Sequence, residues 1–297
     1  YQVGSFPAWN RWSEWNGRFR DDLRCFLKGD YGMAQAAIER ILGSADLYSP
    51  ENRGENATVN FLNCHDGFTL YDMYAYNWKH NEKNGWNNTD GDNNNNSWNC
   101  GEEGESMNPE VLALRNRMRK NSFAVLMCSR GAAMFLAGDE FCNTQFGNNN
   151  AYCQDNEISW IDWSRKEQYS EMFEFCKFMI QLRKEHPILR GRSGPSGCGF
   201  PEVSVHNSKA WNAECNQDTH TIGVMFAGRN ASNTEDDIIY IGVNTFWEYC
   251  DIELPKLPLG RKWKVLVNTE FEHTQDVDYD LLTRRKSDIL LTMCPRS

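Results

Sequence analysis

The sequence predicts an α/β chain: the C-terminal portion of a (β/α)8 TIM barrel followed by a small antiparallel β-sandwich. Three observations carry this. Apolar strand-like segments twice run into an acidic turn, at Val59–Asp66 and at Ala132–Glu140, with amphipathic helical stretches around them. Residues 191–199 are rich in Gly, Pro and Ser, as a domain boundary is. Beyond them the helical period disappears, and short strand-like runs alternate with turn residues. Only about three strand-then-helix units precede that boundary, whereas a closed barrel needs eight and about 250 residues. The expected organisation is therefore the last barrel units over residues 1–190, a linker over 191–199, and a β-sandwich over 200–297.

The elements follow in order. After a loop with Gly4 and Pro7, Arg11–Asn16 is short and aromatic enough for a brief strand. Gly17–Lys28 is a helix with Phe19, Leu23, Phe26 and Leu27 on one face and Arg18, Asp21, Asp22 and Lys28 on the other, stopped by Gly29. Met33–Leu42 is a second short helix, and a polar link from Ser49 to Ala57 leads on. Val59, Phe61 and Leu62 read as a buried strand ending at His65-Asp66-Gly67. Polar residues at that end of a barrel strand do chemistry; equally, Asp66 could cap the helical turn through Leu70, Tyr71 and Tyr74.

A long excursion from Asn77 to Asn108 is dense in Asn, Asp and Gly. Its length predicts a substrate-side loop, mobile without ligand, or an inert surface loop. It is no EF-hand: with Asp90 in first place, Asn95 stands where Gly is required and Gly101 where Glu is required. Asn108-Pro109 opens a helix to about Cys128, with Val111, Leu114, Met118 and Val125 inward and Gly131 beyond its end. Ala132–Ala137 is the next strand. Ser164-x-x-Glu167 reads as a capping box for a helix to Glu185, closed by His186-Pro187. Five strands are expected afterwards, over 221–227, 238–245, 250–254, 262–268 and 288–292.

Composition narrows the function classes. The net charge is −10 and no basic block occurs, which argues against nucleic acid as a partner. No apolar run reaches membrane-spanning length, so no membrane partner is expected. Eleven Cys stand singly, without any Cys-x-x-Cys, so neither a metal site nor a disulfide framework is expected, and buried thiols fit a reducing cytoplasm. No cofactor motif occurs. Eleven Trp and eleven Tyr are a heavy aromatic load, suited to cores and to stacking on sugar rings. Asn56-Ala57-Thr58 and Asn230-Ala231-Ser232 match short glycosylation acceptors. The chain has no initiator Met and reads as a piece of a longer protein.

Several motifs together carry a resemblance. They are Val59-Asn60-Phe61-Leu62-Asn63-Cys64-His65-Asp66-Gly67, Trp12-Ser13-Glu14-Trp15-Asn16-Gly17 and His80-Asn81-Glu82-Lys83-Asn84-Gly85. With them go Leu136-Ala137-Gly138-Asp139-Glu140-Phe141 and Gly147-Asn148-Asn149-Asn150-Ala151-Tyr152-Cys153-Gln154-Asp155-Asn156. On these the chain resembles the α-amylase superfamily (glycoside hydrolase family 13), in its isoamylase and glycogen-debranching branch, over most of residues 1–190. The resemblance implies that the strands here are the sixth to eighth of the barrel. It implies a retaining hydrolase of α-1,6 branch linkages, with a branched α-glucan (glycogen, starch or limit dextrin) as its partner.

The same resemblance places the nucleophile Asp and the acid/base Glu before Tyr1, so this segment alone is expected to be inactive. Asp66 matches the family's third carboxylate, a transition-state stabiliser, and His65 would donate to the same sugar. Asp139, Asn148, Asn149, Tyr152 and Asp155 are the further substrate-side candidates, with a pairing of Asp139 or Glu140 to Arg20 as the structural alternative. A noncatalytic glucan-binding subunit and an α-1,4-acting amylase relative are the other functions weighed.

Overall fold

The computed structural model describes residues 2–6, 11–49, 57–191, 193–229, 235–274 and 276–297. The first half is built on a three-stranded parallel sheet in the order β1 (Glu14–Trp15), β2 (Thr58–Asn60), β3 (Ala132–Ala133). Glu14 pairs with Thr58 and Trp15 with Val59; Val59 then pairs with Ala132 and Asn60 with Ala133. The parallel strands are shorter than the apolar runs suggested. Phe61 and Leu62 remain buried but leave the ladder, and only two residues of 132–137 pair.

Helices lie between the strands. Helix α1 (Gly17–Lys28) starts at Asn16, whose side chain accepts from the Phe19 amide, and ends at Gly29 in the left-handed region. Phe19, Leu23, Phe26 and Leu27 are buried, and α2 (Ala34–Ile41) follows. After β2 comes the single-turn helix α3 (Leu70–Met73), with Thr69 accepting from the Asp72 amide at its start.

Helix α4 (Pro109–Cys128) has the expected Asn108 cap. It is buried on far more than one face. Arg115, Arg119, Lys120 and Asn121 are buried as well as Met118 and Val125. The polar side faces the excursion and the C-terminal segment, where Arg117 donates to Pro295 O at 2.7 Å and Asn121 to Arg296 O at 2.8 Å.

The expected capping box does not form. Ser164 already has helical backbone angles (φ −66°, ψ −25°) instead of the extended ones of a capping residue, and its hydroxyl and amide both donate back to Asp162 Oδ1, at 2.6 and 3.0 Å. The helix is broken into α5 (Arg165–Gln168) and α6 (Ser170–Glu185).

The second half holds two three-stranded antiparallel sheets. One has the order β4 (Val203–His206), β5 (Thr221–Arg229), β6 (Asp236–Asn244); the other β7 (Cys250–Glu253), β9 (Leu290–Met293), β8 (Arg284–Arg285). Val203–His206 and Arg284–Arg285 were not foreseen as strands. Residues 262–268 form none. Their polar groups go elsewhere: the Trp263 ring N–H donates to Pro255 O at 2.8 Å and the Val265 amide to Asp280 Oδ1 at 3.3 Å. The sheets face each other, since a Cβ on Gly242 would come 3.1 Å from Met293 Sδ and 3.4 Å from Ile252 Cδ1. A mostly apolar cavity of about 230 Å³ lies between them and α4.

All eleven cysteines are free thiols. Among the described residues no helix is long and apolar enough to cross a membrane, and no group of three or more His, Cys, Asp or Glu could hold a metal ion. The sequon residues Asn56 and Asn230–Ser232, and most of the polar link from Ser49 to Ala57, lie outside the described residues.

Candidate active site

All three parallel strands point their carboxyl ends the same way, so the residues that follow them share one face. After β2 the chain runs through Phe61 and Leu62 into a turn at 63–68. Inside it the Asn63 side chain donates to Phe68 O at 2.8 Å, and the Cys64 thiol to Asp66 O at 3.4 Å. Gly67 stands at φ +88°, a conformation costly for a residue with a Cβ. Its amide donates to Asn149 O at 2.9 Å.

His65 and Asp66 are held up at the tip. Their side chains are 67% and 73% exposed, with Nε2 and Oδ2 3.3 Å apart. Trp15, at the end of β1, meets the His65 ring edge-on at 5.7 Å and rests on Phe61 at 5.8 Å. An exposed indole, an imidazole and a carboxylate thus stand together over the sheet. Trp15 was not among the sequence candidates, although its place at a strand end followed the same grammar.

Asp139 sits differently. It is 2% exposed, and its Oδ1 accepts the Leu70 amide at 2.8 Å, at the start of α3. Burial pushes its carboxyl up to about 7, a rise strengthened by Glu140 and Asp72. Asp72, also buried, accepts from Thr144 Oγ1 at 2.5 Å and from the Gln145 amide at 2.8 Å. Burial raises it to about 6, against the pull of those hydrogen bonds.

The alternative weighed for Asp139 and Glu140, a structural pairing with an arginine such as Arg20, is not made with Arg20. Arg20 pairs with its neighbour Asp21 at 2.7 Å, and Glu140 accepts the Gly138 amide at 2.9 Å. Glu14 is no stray acid either: its two oxygens accept the Gly4 and Phe6 amides at 3.0 and 2.8 Å.

Asn148 and Asn149 are buried, and their amides build a network. Asn81 Nδ2 donates to Asn149 Oδ1 at 2.8 Å, while the Asn149 amide donates to Asn81 Oδ1 at 2.9 Å. Asn149 Nδ2 donates to Asp92 O and to Asn95 Oδ1, at 2.7 and 2.8 Å. Asn148 Nδ2 donates to Asn84 Oδ1 at 2.8 Å. The long excursion is therefore not structureless. It is tied to residues 147–150 on one side. On the other, the fully buried Arg115 donates to the carbonyls of Asn99 at 3.0 Å, Gly104 at 2.6 Å, and Glu102. Beyond the network the chain resurfaces. Tyr152 is 71% exposed, and the exposed Asp155 accepts from the Trp160 ring at 3.1 Å.

Of the sequence candidates, the structure thus exposes His65, Asp66, Tyr152 and Asp155. It buries Asp139, Asn148 and Asn149 beneath them. Asn148 and Asn149 were singled out as substrate-side residues, not as anchors of the excursion, and Asn81, Asn84, Asn95 and Arg115 were not singled out as site residues.

Comparison with known proteins accounts for these motifs. The chain is 40% identical over 278 residues to isoamylase 3, chloroplastic, of Oryza sativa subsp. japonica, a match covering 93% of this chain and 34% of that protein. It is 47% identical over 192 residues to a glycogen operon protein GlgX homolog of Mycobacterium tuberculosis, covering 65% of this chain and 26% of that one. The chain is a homologue of the isoamylase and GlgX proteins.

It spans about a third or less of the length of those relatives. No family model matches it. Among solved structures, pullulanase from Bacillus acidopullulyticus superposes with a TM-score of 0.62 over 96% of this chain and 30% of its own, at 18% identity. A Paenibacillus barengoltzii pullulanase, solved with maltohexaose and alpha-cyclodextrin, gives 0.62 over 95% and 37%, also at 18% identity. At these identities the likeness is one of fold, and it supports an α/β architecture.

Proposed function

We propose that these 297 residues are part of a debranching glycoside hydrolase that cleaves α-1,6 branch linkages in glycogen or a starch-like glucan. One observation carries the reading. His65 and Asp66, on the motif shared with the isoamylase branch, stand exposed at the carboxyl end of the middle strand of a parallel sheet, beside an exposed Trp15. That is where a barrel presents its chemistry. In this reading β1–β3 are barrel strands six to eight within residues 1–190, residues 191–199 are the linker, and 200–297 form the β-sandwich. The free thiols suit a reducing cytoplasm.

Retaining hydrolysis uses a nucleophile and an acid/base carboxylate about 5–5.5 Å apart. We assign both to strands outside this chain. Asp66 supplies what these residues can: acceptors for ring hydroxyls of the sugar at the scissile bond. Such hydrogen bonds tighten as the ring flattens toward an oxocarbenium-like state, so they lower the barrier instead of merely binding. His65 donates to the same sugar. Tyr152 and Asp155 contact the branched glucan further along the cleft, and Asp139, Asn148 and Asn149 shape that cleft from below.

The test is Asp66→Asn in the complete protein that carries this chain, assayed by reducing-end release from a branched maltodextrin. Turnover should fall by at least about a hundredfold. Circular dichroism and melting should not change, because the side chain is exposed. Near-normal turnover sinks the assignment.

A further inference from the structure

The His65–Asp66 tip has little to hold it in place by side-chain contact. Among the described residues, Asp66's side chain meets only His65, at 3.3 Å, and His65 adds one edge contact with Trp15. The position of the carboxylate must therefore come from the main chain on either side.

Both sides are held, and by one connected structure. Before the tip, Arg24 of α1 donates to Leu62 O from Nε at 2.9 Å and from Nη2 at 2.5 Å. Its Nη1 donates to Asn95 O at 2.8 Å. Asn95 Oδ1 in turn accepts from Asn149 Nδ2 at 2.8 Å. After the tip, Asn149 O accepts the Gly67 amide at 2.9 Å. The path Leu62–Arg24–Asn95–Asn149–Gly67 is a closed loop of hydrogen bonds whose only other segment is residues 63–66.

We propose that Arg24, Asn95 and Asn149 are positioning residues that clamp the His65–Asp66 tip. None of them touches substrate; they act by fixing the two ends of the span that carries Asp66. The proposal deepens the hydrolase reading above and rests on it for the role of Asp66.

The chemistry of the three side chains fits the task. A guanidinium is a rigid planar fork, so Arg24 meets Leu62 O with two N–H groups and Asn95 O with a third, a fixed geometry that the single nitrogen of a lysine does not reproduce. The two asparagine amides extend the link without adding charge beside Asp66. Arg24 and Asn149 are nearly fully buried, so water does not compete for these bonds. A displacement of about 1 Å at a reacting centre can cost a hundredfold in rate, so a clamp remote from the sugar is felt in turnover.

The experiment uses the complete protein with Arg24→Lys, Asn95→Ala and Asn149→Ala, beside Asp66→Asn and a control. The control is Lys120→Met on α4, which removes a buried ion pair with Glu171 of α6. Two readouts are taken on each. Amide exchange at Gly67 should speed up by at least about tenfold in the three clamp variants and stay unchanged in Lys120→Met. Turnover should fall about ten- to a hundredfold in the clamp variants, with KM moving less than about threefold.

Unchanged Gly67 exchange in Asn95→Ala overturns the clamp, whatever Asp66 does. Equal losses of kcat in Lys120→Met and the clamp variants also overturn it, because general destabilisation would then explain both. Faster Gly67 exchange with full turnover in Asp66→Asn leaves the clamp standing as mechanics and rejects the hydrolytic role of Asp66.

Discussion

Asp139→Asn should make the chain more stable at neutral pH and remove most of its loss of stability between pH 5 and 8. The carboxyl is 2% exposed, accepts one backbone amide, and among the described residues has no basic side chain to offset its charge. Its rise from 3.8 to about 7 corresponds to about 4 kcal/mol, at ~1.4 kcal/mol per pH unit. Asp72, raised from 3.8 to about 6, adds about 3 kcal/mol on the same scale. Both carboxyls bind protons more tightly folded than unfolded. Stability contributed by the protonated forms is present below about pH 4 and is lost as pH rises through about 6 and 7. An amide side chain at this position keeps the oxygen that accepts the Leu70 amide and presents N–H where the protonated acid has O–H. The variant should therefore match the parent below about pH 4, exceed it by about 1–2 kcal/mol at pH 5, and exceed it by about 4 kcal/mol at pH 8. Urea unfolding of both proteins at pH 5, 6, 7 and 8 gives the comparison. Parent stability that is flat or rising over that range, with the Asp139→Asn variant behaving identically, would refute the reasoning.

Two further substitutions separate backbone strain from steric clash and test the fixed excursion. At Gly67, with φ +88° and open space around a Cβ, Gly67→Ala should cost about 1–2 kcal/mol. At Gly91, with φ +72°, a Cβ would come 2.2 Å from Asn149 Oδ1 and 2.7 Å from Asn81 Nδ2. Gly91→Ala should therefore cost more, about 2–4 kcal/mol; equal melting shifts for the two would contradict the asparagine geometry. Arg115→Ala should cost about 3–5 kcal/mol and release amide protection over 99–104, since it strips three loop carbonyls of their buried donor. Unaltered hydrogen exchange there would return the excursion to a loop held by little.

The parts of the fold that were legible are those decided by near neighbours in sequence. Asn16 and Asn108 cap helices three and two residues away, and Gly29 ends α1 for want of a Cβ. The turn at His65-Asp66-Gly67 was legible for the same reason. The capping box failed because Ser164 itself stands in helical backbone, and its hydroxyl donates back to Asp162, two residues before it. The strand expected at 262–268 failed because β-propensity is satisfied only when a partner strand arrives. The asparagine network was not legible at all. Asn81 and Asn149 are 68 residues apart, and no period or composition pairs them. Arg24 lies between two apolar positions of an otherwise ordinary helix, and its burial depends on a loop that arrives 71 residues later.

The same distinction explains why an asparagine-rich excursion, which reads as disorder, folds tightly here. A carboxylate only accepts hydrogen bonds, so two of them side by side repel and leave no donor between them. An amide both donates and accepts, so a set of amides can close on itself with every group matched. Asn81 and Asn149 do this reciprocally, and Asn84 both accepts from Asn148 and donates to Asn150 O at 2.9 Å. Replacing any of these by Asp keeps the shape but sets acceptor against acceptor in a buried place, at a cost of about 1–3 kcal/mol for each group left unmatched. The acids that do occur in this region meet donors: Asp90 Oδ2 takes N–H groups from both Asn84 and Asn150 at 2.8 Å, and its carboxyl is held below the usual range by them. Asp66 differs from these acids: its side chain faces solvent beside His65. What sets it apart from other exposed acids is its place after a strand of the parallel sheet, beside His65 and Trp15, where a barrel presents its chemistry.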